Sequence, residues 1–409
     1  MNERKTHEAL SRLQHDEGML LIGGKRLDVL VREKQLPCYL YDSEAVASRI
    51  AELKMALPDN VHLHYAVKAN PMPELVRFVA DRVDGLDVAS DGELRIALES
   101  GMHPGSISFA GPGKRQDELE KAVAAGVVIN AESERELARL SQIARNMQRR
   151  VSVAVRVNPA FELKSSGMKM GGGSKPFGID EERLAEVFAG WDSEWMTFAG
   201  LHIFWGSQNL NPAAIVEAQR GAFNLALRFT GQMPEPPRFI NLGGGFGIPY
   251  FPGEASLDMR PIHANLSELS DELKKTWPEA VLVIELGRYL VGEAGYYVCE
   301  VLDKKVSRGE TYLIASGGMH HHLAASGNFG QVIRKNYPVV VANRMRSGVS
   351  ECVNVVGPCC TPLDILASKM ELPVAEVGDW IVVLQSGAYG LTASPGRFLG
   401  HPPAGEWLL

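Results

Sequence analysis

Between Pro37 and Arg288 the chain repeats one pattern, in which short β-rich apolar runs alternate with amphipathic stretches of helical period. The strand-like runs fall at 61–69, 85–90, 106–111, 127–132, 150–158, 198–207, 238–245 and 281–287. Between them lie PELVRFVADR, GKRQDELEKAVAAG and NPAAIVEAQRGAFNLALRF. An earlier stretch, SEAVASRIAELKMAL, places Val46, Ile50, Leu53 and Leu57 on one helical face. Ser90–Glu93 and Ser133–Glu136 have the spacing of a capping box. Eight such units over about 250 residues predict a (β/α)8 TIM-type barrel. A doubly wound sheet would alternate in the same way, so the polar residues decide. Lys68, Asp87, Arg156, His202, the glycines after Asn241, and Glu285 with Arg288 all sit at strand C-ends. A barrel gathers those ends around one mouth.

After Arg288 the texture changes. YYVCEVLDKKV, TYLIAS, YPVVVANRM, ECVNVVGP and DWIVVLQSGAY read as strands joined by loops, with little helical period. The expected organisation is a barrel over 37–288 and a β-rich domain over 289–409, which the strand-like N-terminal segment 1–36 joins. A chain of 409 residues suits two domains. The net charge of −7 provides no basic footprint, so nucleic acid is not an expected partner. No apolar run approaches the length of a membrane span, and MNERKTHEALSRLQHDEG lacks a signal core. A cytoplasmic protein without membrane contact is expected. Cys38, Cys299, Cys352, Cys359 and Cys360 form no CxxC pair, which argues against a zinc ribbon or disulfide framework.

The candidate chemistry lies in five strings. HYAVKANP carries Lys68 on the polar side of an alternating strand, either as a solvated edge lysine or facing a site. INLGGGFGIP sets Gly243, Gly244 and Gly245 at a strand end, where backbone N–H groups can approach a phosphate or simply make a tight turn. VLVIELGRYLV buries Glu285 three residues before Arg288, which is costly unless each has a partner. VVGPCCTPLDIL offers a cysteine in a Gly-Pro turn, and LQSGAYG a tyrosine beside glycines; each alone reads as structural. Together, a lysine able to form a Schiff base, a glycine-rich cradle with an arginine, and a buried carboxylate for a pyridine nitrogen are the three handles of pyridoxal phosphate.

The ordered set YAVKAN, LDVASDGEL, FAGPGK, RVNP, SKPFG, GSQ, NLGGGFG, ELGRYLV, GPCCTPLD and SGAYG resembles the fold-type III pyridoxal-phosphate decarboxylases, from about residue 38 to 402. SGGMHHHL and SGAYGLTASPGRFLGHP are similar to a narrower branch of siderophore, aminoglycoside-cluster and exosortase-associated decarboxylases. The resemblance implies that Lys68 is the Schiff-base lysine and Glu285 the partner of the pyridine nitrogen. It puts Ser207, Gly243, Gly244, Gly245, Gly287, Arg288 and Tyr389 at cofactor contacts, with Asp87 and Arg156 at flanking positions. It also implies a homodimer, in which the cysteine of the GPxC turn, Cys360, reaches the partner's site and reprotonates Cα. Alanine-racemase-like proteins share the barrel but tend to pair the ring nitrogen with arginine; Glu285 and the GPCC turn favour decarboxylation. A non-catalytic decarboxylase-like regulator should lack such residues, and here they are present.

This sequence departs from the family pattern in three places. GLHIFWGSQ puts Phe204 where the family has a histidine stacked on the cofactor ring, with His202 two residues earlier. ELGR replaces EPGR through Leu286. Thr361 follows Cys360 where ornithine- and diaminopimelate-type enzymes carry a carboxylate for the distal ammonium. A hydroxyl is a poor partner for a desolvated ammonium, so the expected substrate has a conjugated or acidic distal end, with free diaminopimelate or another basic amino acid as the alternative. His322 and Asp364 are expected to line the substrate tail. His320, His321 and His322 suggest a metal, but adjacent residues rarely aim at one ion, so none is expected. SSGMKMGGGSKPFG reads as a mobile loop near the mouth or as a surface linker.

Overall fold

The computed structural model describes residues 7–160, 168–169, 172–331 and 333–409. The chain divides into two compact units: Arg49–Ile248 with Leu257–Leu290, and the N-terminal stretch through Ser48 with Pro249–Ser256 and Val291–Leu409. Among the described residues, no helix is long and apolar enough to cross a membrane.

The first unit is the barrel. Its strands are β1 (Val61–Ala66), β2 (Gly85–Val88), β3 (Ile107–Phe109), β4 (Val128–Ala131), β5 (Val151–Asn158), β6 (Met196–Ile203), β7 (Phe239–Gly244) and β8 (Val281–Leu286). All neighbours are parallel, β8 pairs with β1, and the β4–β5 pairing completes a closed ring. Helices between the strands bury apolar stripes against the outside. Pro212–Arg228, for example, buries Ile215, Ala222, Phe223 and Ala226 on that stripe. Each large apolar side chain removed from water there contributes about 1.5–3 kcal/mol.

Both expected capping boxes form with one change. Ser90 and Ser133 accept the N–H of Glu93 and Glu136. The glutamates, however, reach back one residue further, to the N–H of Ala89 and Glu132.

Along β1, Leu63 and Tyr65 are fully buried, whereas His62 and His64 on the alternate face are half-buried within a polar interior. Most barrels fill this space with branched aliphatics. Here His64, Asp87, Ser108, Asn130, Asn241 and Glu285 occupy it, linked by hydrogen bonds.

The second unit is a mixed sheet ordered Val339–Val341, Trp380–Val383, Gly295–Ser307, Glu310–Ala315, Ser350–Val356, Ile365–Pro373. Cys38–Tyr41 pairs with Gly295–Ser307 and with the C-terminal strand Gly405–Leu408. Leu20, Ile22, Leu27, Leu40 and Val298 pack its core.

Candidate active site

Lys68 does not lie within β1. The strand ends at Ala66 and the chain turns through a single 3-10 turn, Val67–Ala69. The turn is stapled from within: Tyr65 Oη donates to the Asn70 carbonyl at 2.9 Å, and Asn70 Oδ1 accepts the Met72 N–H at 3.1 Å. Pro73 then opens the next helix, where its missing N–H costs nothing. Gly287, immediately after β8, lies against the Ala69 methyl. The lysine is thus exposed, on a rigid turn at the C-terminal mouth, with Nζ 5.5 Å from the Phe204 ring centroid.

Glu285, near the end of β8, is 9% exposed. Asn241 Nδ2 donates to its Oε2 at 3.2 Å, and His202 Nε2 stands 3.2 Å from the same oxygen without hydrogen-bond alignment. Burial favours the neutral acid, but the His202 ring, followed by Lys68 and Arg156, outweighs it and lowers the pKa to about 2. A deeply buried carboxylate is thereby kept ionised.

Asp87 is held from below. Its Oδ1 lies 3.2 Å from His64 Nδ1 and accepts Ser108 Oγ at 2.5 Å, and Asn130 donates to Ser108 at 3.0 Å. Burial lowers the His64 pKa, yet Asp87 and Glu285 reverse this and leave it raised. Arg156 is paired at 2.8 Å with Glu132, whose carboxylate also accepts the N–H groups of Gly111 and Gly178. Its guanidinium lies 5.0 Å from the Phe177 ring.

The glycine string ends β7. Gly243 adopts φ +72°, a region most side chains avoid, and a Cβ on Gly244 would overlap the Glu285 carbonyl. Gly245 and Ser207 belong to the adjoining segments after β7 and β6, zipped by the Asn209 N–H to the Gly245 carbonyl at 2.9 Å. Arg288 opens the short helix Arg288–Val291 and is half-buried.

Lys68, Asp87, Arg156, Phe204 and Glu285 therefore line one cavity of about 220 Å³, with His202, Gly111 and Phe177. Within it, Asp87 Oδ2 and both His202 ring nitrogens are buried without a hydrogen-bond partner, as expected of groups arranged for a polar ligand. An amine, an ionised carboxylate and a glycine-rich strand end fit pyridoxal phosphate.

The other candidates belong to the β-rich unit. Cys360 is exposed, whereas its neighbour Cys359 is buried. Thr361 is half-buried and its Oγ1 accepts the Leu363 N–H at 3.4 Å. Tyr389 adopts φ +53°, its ring 6.3 Å from Phe329.

Two expectations are corrected. His322 is fully buried, bonded through Nε2 to Ser386 Oγ at 2.9 Å and packed against Tyr39, Tyr297 and Tyr337. It is a core residue, inaccessible to a substrate. Asp364 is 2% exposed and accepts the N–H groups of Met319 at 2.6 Å and Cys359 at 2.8 Å. Its carboxylate fastens the turn from inside. Residues 165–167 and 170–171 of the glycine-rich loop expected over 165–178 lie outside the described residues.

Two site residues, Glu132 and His64, have no role in the sequence reading. His202, expected at the mouth two residues before Phe204, stands beside Glu285. His64 lies on the alternate face of its strand and Glu132 directly follows β4, but their partners, Asp87 and Arg156, arrive from other strands.

Residues 43–292 match the family model "Pyridoxal-dependent decarboxylase, pyridoxal binding domain". The chain is 38% identical over 382 residues to the L-glutamyl-[BtrI acyl-carrier protein] decarboxylase of Niallia circulans, covering 92% of this chain and 89% of that protein. It is 31% identical to the 2-[(L-alanin-3-ylcarbamoyl)methyl]-2-hydroxybutanedioate decarboxylase of Staphylococcus aureus, covering 89% and 92%. The structure is similar to diaminopimelate decarboxylase from Helicobacter pylori complexed with L-lysine, with TM-score 0.83, 26% identity and 93% of each chain covered.

Proposed function

From the premise that this chain belongs to the pyridoxal-dependent decarboxylase family, and so is a pyridoxal-phosphate-dependent carboxy-lyase, we propose that Lys68 anchors the cofactor and that the substrate is an amino acid with a conjugated distal end. The convergence of Lys68 and ionised Glu285 on one cavity carries the first part of this reading.

Bound pyridoxal phosphate supplies an electron sink for the bond that releases carbon dioxide. The chain's residues do the rest. Lys68 presents its amine from a turn that Tyr65, Asn70 and Gly287 hold in place. Glu285 offers a fixed negative charge to a protonated ring nitrogen; Asn241 orients it, and His202 stands 3.2 Å away. Phe204 provides an apolar face beside Nζ where a titratable ring would otherwise stand. Gly243, Gly244, Gly245, Ser207, Arg288 and Tyr389 are assigned to the phosphate. Asp87 and Arg156 fix the walls through His64, Ser108 and Glu132.

Cys360 is the proposed acid that returns a proton to Cα. Its exposure on a turn of the β-rich unit suits delivery to the partner's barrel in a cytoplasmic homodimer. Thr361 beside it supports a distal group without a positive charge. The N. circulans relative, named for a glutamyl group on an acyl-carrier protein, supports a carrier-bound substrate; the S. aureus relative, named for a 2-hydroxybutanedioate conjugate, supports a polycarboxylate one.

Carbon dioxide release from carrier-bound glutamate, the citrate-type conjugate and free diaminopimelate tests the reading. Turnover on either conjugate is expected to exceed that on diaminopimelate, and the reverse order overturns the substrate assignment. Lys68→Ala should abolish the visible absorbance of the bound cofactor and lower turnover at least about a thousandfold. Retention of the band would overturn the role of Lys68.

A further inference from the structure

The three consecutive histidines diverge. His322 bonds Ser386, and His321 places Nε2 2.9 Å from the Pro402 carbonyl and Nδ1 3.2 Å from Tyr297 Oη. His320 alone turns toward the Gly-Pro turn, where its Nδ1 lies 3.1 Å from Cys359 Sγ. One ligand atom each from His320, Cys359 and Asp364 lie within 4.8 Å of one another, and all three residues are buried.

We propose that His320, Cys359 and Asp364 form a binding site for a zinc-class divalent cation, with a water or further ligand completing the tetrahedron. The donor set of one thiolate, one imidazole and one carboxylate matches the softness and geometry that zinc favours. Zinc bonds of about 2.0–2.3 Å require neighbouring donors some 3–4 Å apart, within reach of small side-chain adjustments here.

The surroundings fit as well. Each Asp364 oxygen accepts one backbone N–H, from Met319 and from Cys359, and keeps a lone pair for a metal. These two bonds orient the carboxylate as outer partners do in metal sites. The His320 ring lies against His401, with centroids 4.9 Å apart and the planes tilted by 39°. Burial, followed by His321, lowers the His320 pKa to about 4, so the ring is neutral at physiological pH. Cys359 and Asp364 also line a cavity of about 460 Å³ with Lys305, Ser307, Tyr312 and Thr361, which gives an ion a way in.

Binding exchanges one bond for another: the Cys359 S–H proton leaves to solvent and a sulfur–metal bond replaces it. The ion would tie the Ser316–His322 segment to the turn whose next residue is Cys360.

Equilibrium dialysis of the holoenzyme against zinc, with metal counted by atomic emission and zinc-edge X-ray absorption, tests this. One zinc per chain with a single sulfur in its shell is expected. Cys359→Ser and His320→Gln should each weaken binding more than about a hundredfold, since loss of an outer partner alone costs 10–100-fold. Cys360→Ser should leave binding unchanged. Circular dichroism and the cofactor band check that the variants fold; if neither does, the wild-type stoichiometry and sulfur count decide. Absence of stoichiometric zinc, a shell without sulfur, binding that survives Cys359→Ser, or binding lost with Cys360→Ser would each overturn the proposal.

Discussion

His202 and Glu285 meet at 3.2 Å although their strands are not neighbours: β7 lies between them and contributes Asn241 to the same carboxylate oxygen. Three consecutive strands thus converge on one buried charge. The His202 ring does more than any other neighbour to keep Glu285 ionised.

Glu285→Gln removes the charge and keeps the shape. Turnover is expected to fall by about 10²–10³, the range found when a preorganised electrostatic partner is lost. The pH dependence has a definite sign. Because the carboxyl titrates near 2 in the folded chain and near 4.5 when free, its stabilising contribution is complete above about pH 4.5 and is lost as pH falls toward 2. Acid unfolding of Glu285→Gln should therefore be shallower across that window; an unchanged profile would contradict the pairing.

Gly244→Ala should destabilise by about 1–3 kcal/mol in urea unfolding, the usual cost of overpacking, because its methyl enters the Glu285 carbonyl. Cofactor affinity should fall with it, since the strand end must move. Gly231→Ala meets nothing within 4 Å and serves as the neutral control.

Thr361→Glu restores the carboxylate that diamino-acid enzymes use. Steady-state kinetics should show kcat/KM for diaminopimelate rising about tenfold and that for the preferred conjugate falling, as one new charge-assisted contact would allow. Movement of both substrates in the same direction would remove Thr361 from specificity.

His322 is held neutral by burial, with its pKa lowered to about 3. The unfolded chain binds this proton from about pH 6.5 downward, so stability should decline between pH 6.5 and 3, by up to about 1.4 kcal/mol per pH unit for this one site. His322→Gln should lower stability at pH 8 by about 1–3 kcal/mol through the Ser386 contact and flatten that decline. Denaturant titrations at several pH values separate the two effects.

The eight strands and their closed ring were legible because period-two and helical periods alternate cleanly from Val61 to Leu286, and because the polar residues fall at strand C-ends. The strand end at Ala66 was not: Lys68 continues the alternation in sequence, yet the chain has already turned. Pairings between distant residues were also hidden. Arg156 could be picked out, but Glu132, 24 residues away, becomes its partner only once β4 and β5 lie side by side. The histidine tract misled for a related reason, because a polar string suggests contact with a substrate until the tyrosines around it are known. In Cys359-Cys360 the family resemblance points to Cys360, and burial separates the two thiols.

The residues assigned to the cofactor and those assigned to the far end of the substrate belong to separate folding units, except Tyr389. Lys68 and Glu285 rest on a lattice of hydrogen bonds inside the barrel; Cys360 and Thr361 rest on a loop between two strands of the other unit. Such an arrangement makes substrate preference a replaceable part. New specificities can be searched by varying Thr361 and its neighbours on that short loop, with Cys360 and the barrel residues left as they stand.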